Sequence, residues 1–84
     1  MHKELQRRLK RVEGQVRGVQ RLLDEGADCE AVVLQLSAIK GALQRVGMKV
    51  ATCQLGTRMA EEIKQGGTGK EASDELTETF LRLA

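Results

Sequence analysis

Aromatic side chains are almost missing from this 84-residue chain: Phe80 stands alone, and there is no Trp or Tyr. Any core must therefore be built from Leu, Val, Ile, Ala and Met. Proline is absent as well, which removes the commonest helix breaker. No apolar run approaches the roughly 18 residues that a membrane-spanning helix needs. The basic N-terminal segment lacks the apolar stretch of a secretory signal. These absences point to a cytoplasmic protein, in which the two cysteines, Cys29 and Cys53, are expected as thiols rather than as a disulfide. Histidine is represented by His2 alone, and no Cys-x-x-Cys pair occurs, so a four-ligand structural zinc site has no local donors. No Ser-His-Asp set, carboxylate pair or Cys-His dyad is evident. Catalysis has no residue to carry it, and the chain is not expected to be an enzyme.

What is present is charge, and it is unevenly spread. Residues 1–21 carry seven basic and two acidic groups, residues 22–58 four of each, and residues 59–84 three basic and six acidic. A basic first segment suggests contact with a polyanion, although a solvated face would look the same.

Apolar residues recur at Leu5, Leu9, Val12, Val16, Val19 and Leu23 with alternating steps of four and three, the mark of a helical stripe, which Leu22 widens. Gly26 suits a helix C-cap and Asp28 the N-cap of the next helix. The stripe resumes at Val32, Leu36, Ile39, Leu43, Val46, Val50 and Cys53, and the helix is expected to run to about Lys64. Such a helix is about 54 Å long at 1.5 Å per residue. A 24-residue neighbour and a short third helix cannot cover it, so it is expected to pack against a copy of itself. Gln65-Gly66-Gly67-Thr68-Gly69 breaks the pattern, and a third helix follows from about Lys70 with Ala72, Leu76, Phe80 and Leu83 on one face. A phosphate-binding loop would need Gly five residues before the last Gly and Ser or Thr after the Lys. Lys64 and Glu71 stand there instead, so the segment reads as a helix-breaking loop. The expected fold is all-α: one domain over residues 1–84, a long helical hairpin plus a short C-terminal helix.

The cysteines differ in setting. Cys29 falls at the first position of the long helix, where free N–H groups and the helix dipole favour an anionic sulfur, while Asp28 and Glu30 oppose it. Cys53 lies on the apolar stripe, and spacing alone reads it as a small core hydrophobe.

The run Arg8-Leu9-Lys10-Arg11-Val12-Glu13-Gly14-Gln15-Val16-Arg17-Gly18, followed by Asp28-Cys29 and Gln35-Leu36-Ser37-Ala38-Ile39-Lys40-Gly41-Ala42-Leu43, resembles the CsoR/RcnR/FrmR family of bacterial repressors over about residues 5–83. The resemblance implies an antiparallel dimer that pairs into a tetramer. It also implies operator DNA bound through basic residues of the first two helices, and release of the DNA on inducer binding. Carried onto this chain, the matching basic positions are Arg8 and Arg45. Charge and spacing add Lys10, Arg11 and Arg17.

The sensor positions depart from the family. Its copper-sensing members pair the Cys at the start of the second helix with a His 25 and a Cys 29 residues later, both from the partner chain. Counted from Cys29, those positions hold Gln54 and Arg58. An amide and a guanidinium are poor metal ligands. The N-terminal His of nickel and cobalt sensors and the N-terminal Pro of formaldehyde sensors have no counterpart in the chain as it stands. Persulfide sensors place a second Cys 29 residues on; here Cys53 comes 24 residues on. The expectation is therefore a repressor released by thiol chemistry at Cys29, with Arg58 and Gln54 of a partner chain beside it and Cys53 as a second thiol. A Cu(I) sensor using Cys29 and Cys53 is the alternative, since two thiolates suffice for that soft ion. A helical adaptor module without DNA binding is the alternative from another class.

Overall fold

The computed structural model describes residues 2–84. It contains three helices, α1 (His2–Asp24), α2 (Cys29–Lys64) and α3 (Lys70–Leu83), and no strand among the described residues. No helix among them is long and apolar enough to cross a membrane. The all-α expectation and its helix boundaries hold. Two compact units divide the chain, with the boundary inside α2 between Val46 and Gly47.

In the first unit α1 stops for a local reason. Gly26 takes a φ of 72°, its N–H donates to the Leu23 carbonyl at 3.2 Å, and the Ala27 N–H donates to the Leu22 carbonyl at 2.9 Å. This paired closure satisfies carbonyls that a helix end leaves open. Two residues later Asp28 restarts the helix: its Oδ1 accepts the Ala31 N–H at 2.8 Å. An Asp cap of this kind contributes about 1 kcal/mol.

The apolar stripe of α1 splits into two rows. Leu5, Val12 and Val19, seven residues apart, are each only 7% exposed, whereas Leu9, Val16 and Leu23 are 37–62% exposed. The buried row packs with Ile39, Val32 and Ala42 of α2. Burying a Val or Ile side chain contributes about 1.5–3 kcal/mol each. On α2 the same split recurs, with Ile39 and Val46 buried and Leu36, Leu43 and Val50 exposed. α1 also holds two interior glycines, Gly14 and Gly18, each less favourable than Ala by about 0.8–1.0 kcal/mol. A Cβ at either would meet nothing within 4 Å, so packing within the chain does not require them.

The second unit is built from smaller residues. Ala51 and Ala72 are its buried positions, and Leu76, Phe80 and Leu83 are half-buried. This is the α3 face expected from the sequence. α2 ends as α1 does: Gly66 has a φ of 89°, with Gly66 N–H to the Ile63 carbonyl at 3.0 Å and Gly67 N–H to the Glu62 carbonyl at 2.9 Å. α3 begins without a side-chain cap of its own. Instead Glu62 Oε1 accepts the Ala72 N–H at 3.1 Å. The Gly-rich segment is thus a helix stop followed by a helix start, as expected for a breaking loop.

Candidate nucleic-acid interface and sensor cysteines

α1 and α2 of the first unit enclose a cleft of about 250 Å³ lined by Arg8, Arg11 and Gln15 from one helix and by Ala38, Ala42 and Arg45 from the other. The helical steps of three and four put Arg8, Arg11 and Gln15 on one side of α1. The small Ala38 and Ala42 leave the space that the guanidinium groups border. Arg8 is held by Glu4, Nη2 to Oε1 at 2.9 Å. The Arg45 guanidinium folds back along α2 to within 3.9 Å of where a Cβ on Gly41 would stand. Gln15 Oε1 is buried in this wall without a hydrogen-bond partner.

Three of the five basic residues singled out from the sequence, Arg8, Arg11 and Arg45, therefore meet in one cleft. Lys10 and Arg17 do not line it. Lys10 borders a separate exposed surface with His2, Lys3 and Arg7, and Arg17 lies 4.0 Å from Glu13. Gln15 was missed by sequence reasoning. Its i+4 spacing from Arg11 was the available signal.

Cys29 is the first residue of α2 and is exposed. Cys53 is exposed as well, which corrects the expectation of a small core hydrophobe. The stripe that it continues is solvent-facing at Val50, and Ala51 takes the buried place on that turn. Arg58 Nη1 pairs with Glu75 Oε1 of α3 at 2.7 Å, both side chains being about half exposed. Gln54, Arg58, Glu75 and Thr79 rim a small hollow of about 20 Å³, floored by Ala51, Leu55, Ala72 and Leu76. That is room for about one water. Glu75 carries no local sequence signal, because it stands 17 residues beyond Arg58.

Cys29 and Cys53 lie on one continuous helix, and 24 residues of helix rise about 36 Å. One chain cannot close a site on both thiols. Among the described residues no three His, Cys, Asp or Glu side chains come together as a metal-holding group. Gln54 and Arg58 bring no ligand of the required softness, and Arg58 is already engaged by Glu75. The donor set of a single chain does not fit a resident metal ion.

Comparison with known proteins agrees with this architecture. A family model described as a metal-sensitive transcriptional repressor matches residues 1–82. The chain is 34% identical over 79 residues to the copper-sensing transcriptional repressor CsoR of Bacillus subtilis, covering 94% of this chain and 77% of that one. It is 36% identical over 78 residues to the copper-sensing transcriptional repressor RicR of Mycobacterium tuberculosis, covering 93% and 79%. Among solved structures, the nickel-responsive transcriptional regulator InrS superposes with a TM-score of 0.80 at 28% identity, over 100% of this chain and 93% of that one. The copper-sensing repressor CsoR with Cu(I) from Geobacillus thermodenitrificans gives a TM-score of 0.76 at 35% identity, over 95% and 82%. Family match, identity over nearly the whole length and shared fold all converge, and the chain belongs to the family of metal-sensitive transcriptional repressors.

Proposed function

We propose that residues 1–84 act as one repressor domain that binds operator DNA as a dimer of dimers and leaves it when Cys29 undergoes thiol chemistry. Arg8, Arg11 and Arg45 hold phosphates at the cleft, with Lys10 and Arg17 contributing from the outer side of α1. Such contacts release counterions and make binding fall steeply with salt. The exposed row Leu36, Leu43 and Val50 favours self-assembly. It is symmetric about Leu43, so an antiparallel pair of α2 helices centred there sets Leu36 against Val50. The same register brings Cys29 opposite the turn that holds Gln54 and Arg58 of the second copy.

The observation that carries the thiol reading is the chemistry of that turn: a guanidinium and an amide stand where metal donors would be needed. A guanidinium stabilises an anionic sulfur. With an inorganic polysulfide, the Cys29 thiolate attacks a terminal sulfur and one S–S bond forms. The polysulfide S–S bond breaks, and the shortened polysulfide leaves with the electron pair. The Cys29 sulfur is oxidised to a persulfide and the leaving sulfur is reduced. Cys53 of a second copy, exposed in the chain, can then attack the inner sulfur of this persulfide and release hydrosulfide. The second reading is a Cu(I) sensor using Cys29 and Cys53 from two copies; it is favoured by the copper-sensing relatives and by the exposure of both thiols.

DNA binding to the region upstream of the protein's own coding sequence separates these readings. Reduced protein is expected to bind, and Arg8→Ala and Arg45→Ala each to weaken binding about tenfold and flatten its salt dependence by about 0.9 in log–log slope. Polysulfide is expected to release DNA from wild type and not from Cys29→Ser. Release by stoichiometric Cu(I) under anaerobic conditions, with indifference to polysulfide, would establish the metal reading instead. Binding to a protein partner with no DNA affinity would establish the adaptor.

A further inference from the structure

The outer side of α1 is a second cationic surface, larger than the cleft. At about 100° per residue, Lys3, Arg7, Lys10, Arg11, Arg17 and Arg21 fall in a sector roughly 120° wide, centred opposite the buried row Leu5, Val12 and Val19. The acidic residues of α1 (Glu4, Glu13 and Asp24) all lie outside this sector. All six cations are exposed, and among the described residues only Arg17 has an ion-pair partner, Glu13 at 4.0 Å. The remaining two positions of the sector are Gly14 and Gly18, which face open space.

Nothing inside the chain favours this arrangement. Lys3–Arg7, Arg7–Arg11 and Arg17–Arg21 are like-charged i, i+4 pairs that repel, and interior glycines weaken a helix. The sector contains no apolar residue, so a second helix laid upon it would have nothing to bury. What it offers is a comb of cations with a bare stretch of backbone at its centre. From Lys3 to Arg21 the comb spans about 27 Å of helix, the length of about eight base pairs at 3.4 Å each.

We propose that this ridge seats one sugar–phosphate strand of duplex DNA. Gly14 and Gly18 let the strand approach the helix backbone, while Lys10, Arg11, Arg17 and Arg21 close on phosphates from both sides. This rests on the DNA-binding reading above and extends it to Lys3, Arg7, Arg21 and the two glycines. Arg11 stands at the border of ridge and cleft, so each protomer presents two adjoining phosphate tracks.

The test compares the full-length chain with the K3Q/R7Q/R21Q and G14Q/G18Q variants, using the duplex upstream of its own coding sequence across a salt series. The triple variant is expected to lose about 2.7 units of log–log salt slope, so that between 50 and 200 mM salt its affinity falls about 40-fold less than that of wild type. The glycine variant is expected to melt at a higher temperature, because Gln suits a helix better than Gly, and yet to bind DNA more weakly. Opposite signs of stability and affinity are the signature of a seat on the backbone. An unchanged slope together with unchanged affinity of the glycine variant would make the ridge a solvated face and overturn the proposal. A changed oligomeric mass in the glycine variant, with DNA affinity intact, would overturn it in favour of self-association. Wild type that binds DNA and loses it only in Arg8→Ala and Arg45→Ala would remove the ridge and leave the repressor standing. Wild type that never binds DNA would remove both.

Discussion

The two units of the chain are held together by different forces. The first has an apolar seam, Val12 and Val19 against Ile39 with Val32 and Ala42 alongside, and it carries nine basic against six acidic groups. The second has five basic against six acidic groups. Its large side chains are only half-buried, and polar ties between α2 and α3 do much of the joining: Arg58 to Glu75, and Glu62 to the Ala72 N–H. Apolar contact does not respond to a change of charge, whereas an ion pair does. The unit that presents cations to DNA is therefore built to keep its shape. The unit that presents Arg58 is built so that a new anion can compete for it.

The largest effect should come from the seam. Ile39→Ala is expected to lower stability by about 2–4 kcal/mol, read as a shift of the urea midpoint at fixed protein concentration. A loss below about 1 kcal/mol would mean that the first unit is not held by its apolar row. Next comes the cap of α3. Glu62→Ala leaves the Ala72 N–H without its acceptor and should cost about 1 kcal/mol, like the loss of a local cap, with hydrogen exchange accelerated at the start of α3 and unchanged in α1. Equal acceleration in both helices would erase the distinction between the units. The smallest change in stability is expected from Glu75→Gln, since a half-exposed ion pair contributes at most about 1 kcal/mol. Its informative readout is chemical. Freed from Glu75, Arg58 should speed the reaction of Cys29 with iodoacetamide in the assembled protein. A rate that stays the same or falls would show that Arg58 does not face the thiol.

Much of the fold could be read from spacing because its causes are local. Gly26 and Gly66 stop helices through their own backbone angles, and Asp28 caps α2 through its own side chain. The apolar stripes were legible for the same reason. How each stripe divides was not. Leu5 and Leu9 look alike in the sequence, yet one is buried and the other left open, because burial depends on which seam a neighbouring helix takes. Cys53 shows the limit most clearly: its phase matches the stripe, but it is exposed, and Ala51 occupies the buried position on that turn. At the candidate site, Arg8, Arg11 and Arg45 were legible as cations, and their convergence required the α1–α2 packing to bring residues 8 and 45 to one cleft. Glu75 was invisible because its partner lies 17 residues away on another helix.

α2 runs without interruption from Cys29 to Lys64, and this makes it a ruler. Any residue added or removed between Cys29 and Arg58 would turn everything beyond it by about 100° and shift it by about 1.5 Å, pointing Arg58 away from where it stands now. Seven added residues would nearly restore the angle, at about 20° of error per seven, but would move it about 10 Å farther along the axis. A loop between the two positions would have absorbed such changes. In this chain the count of residues from thiol to guanidinium is itself part of the sensor, as strictly inherited as the residues at its ends.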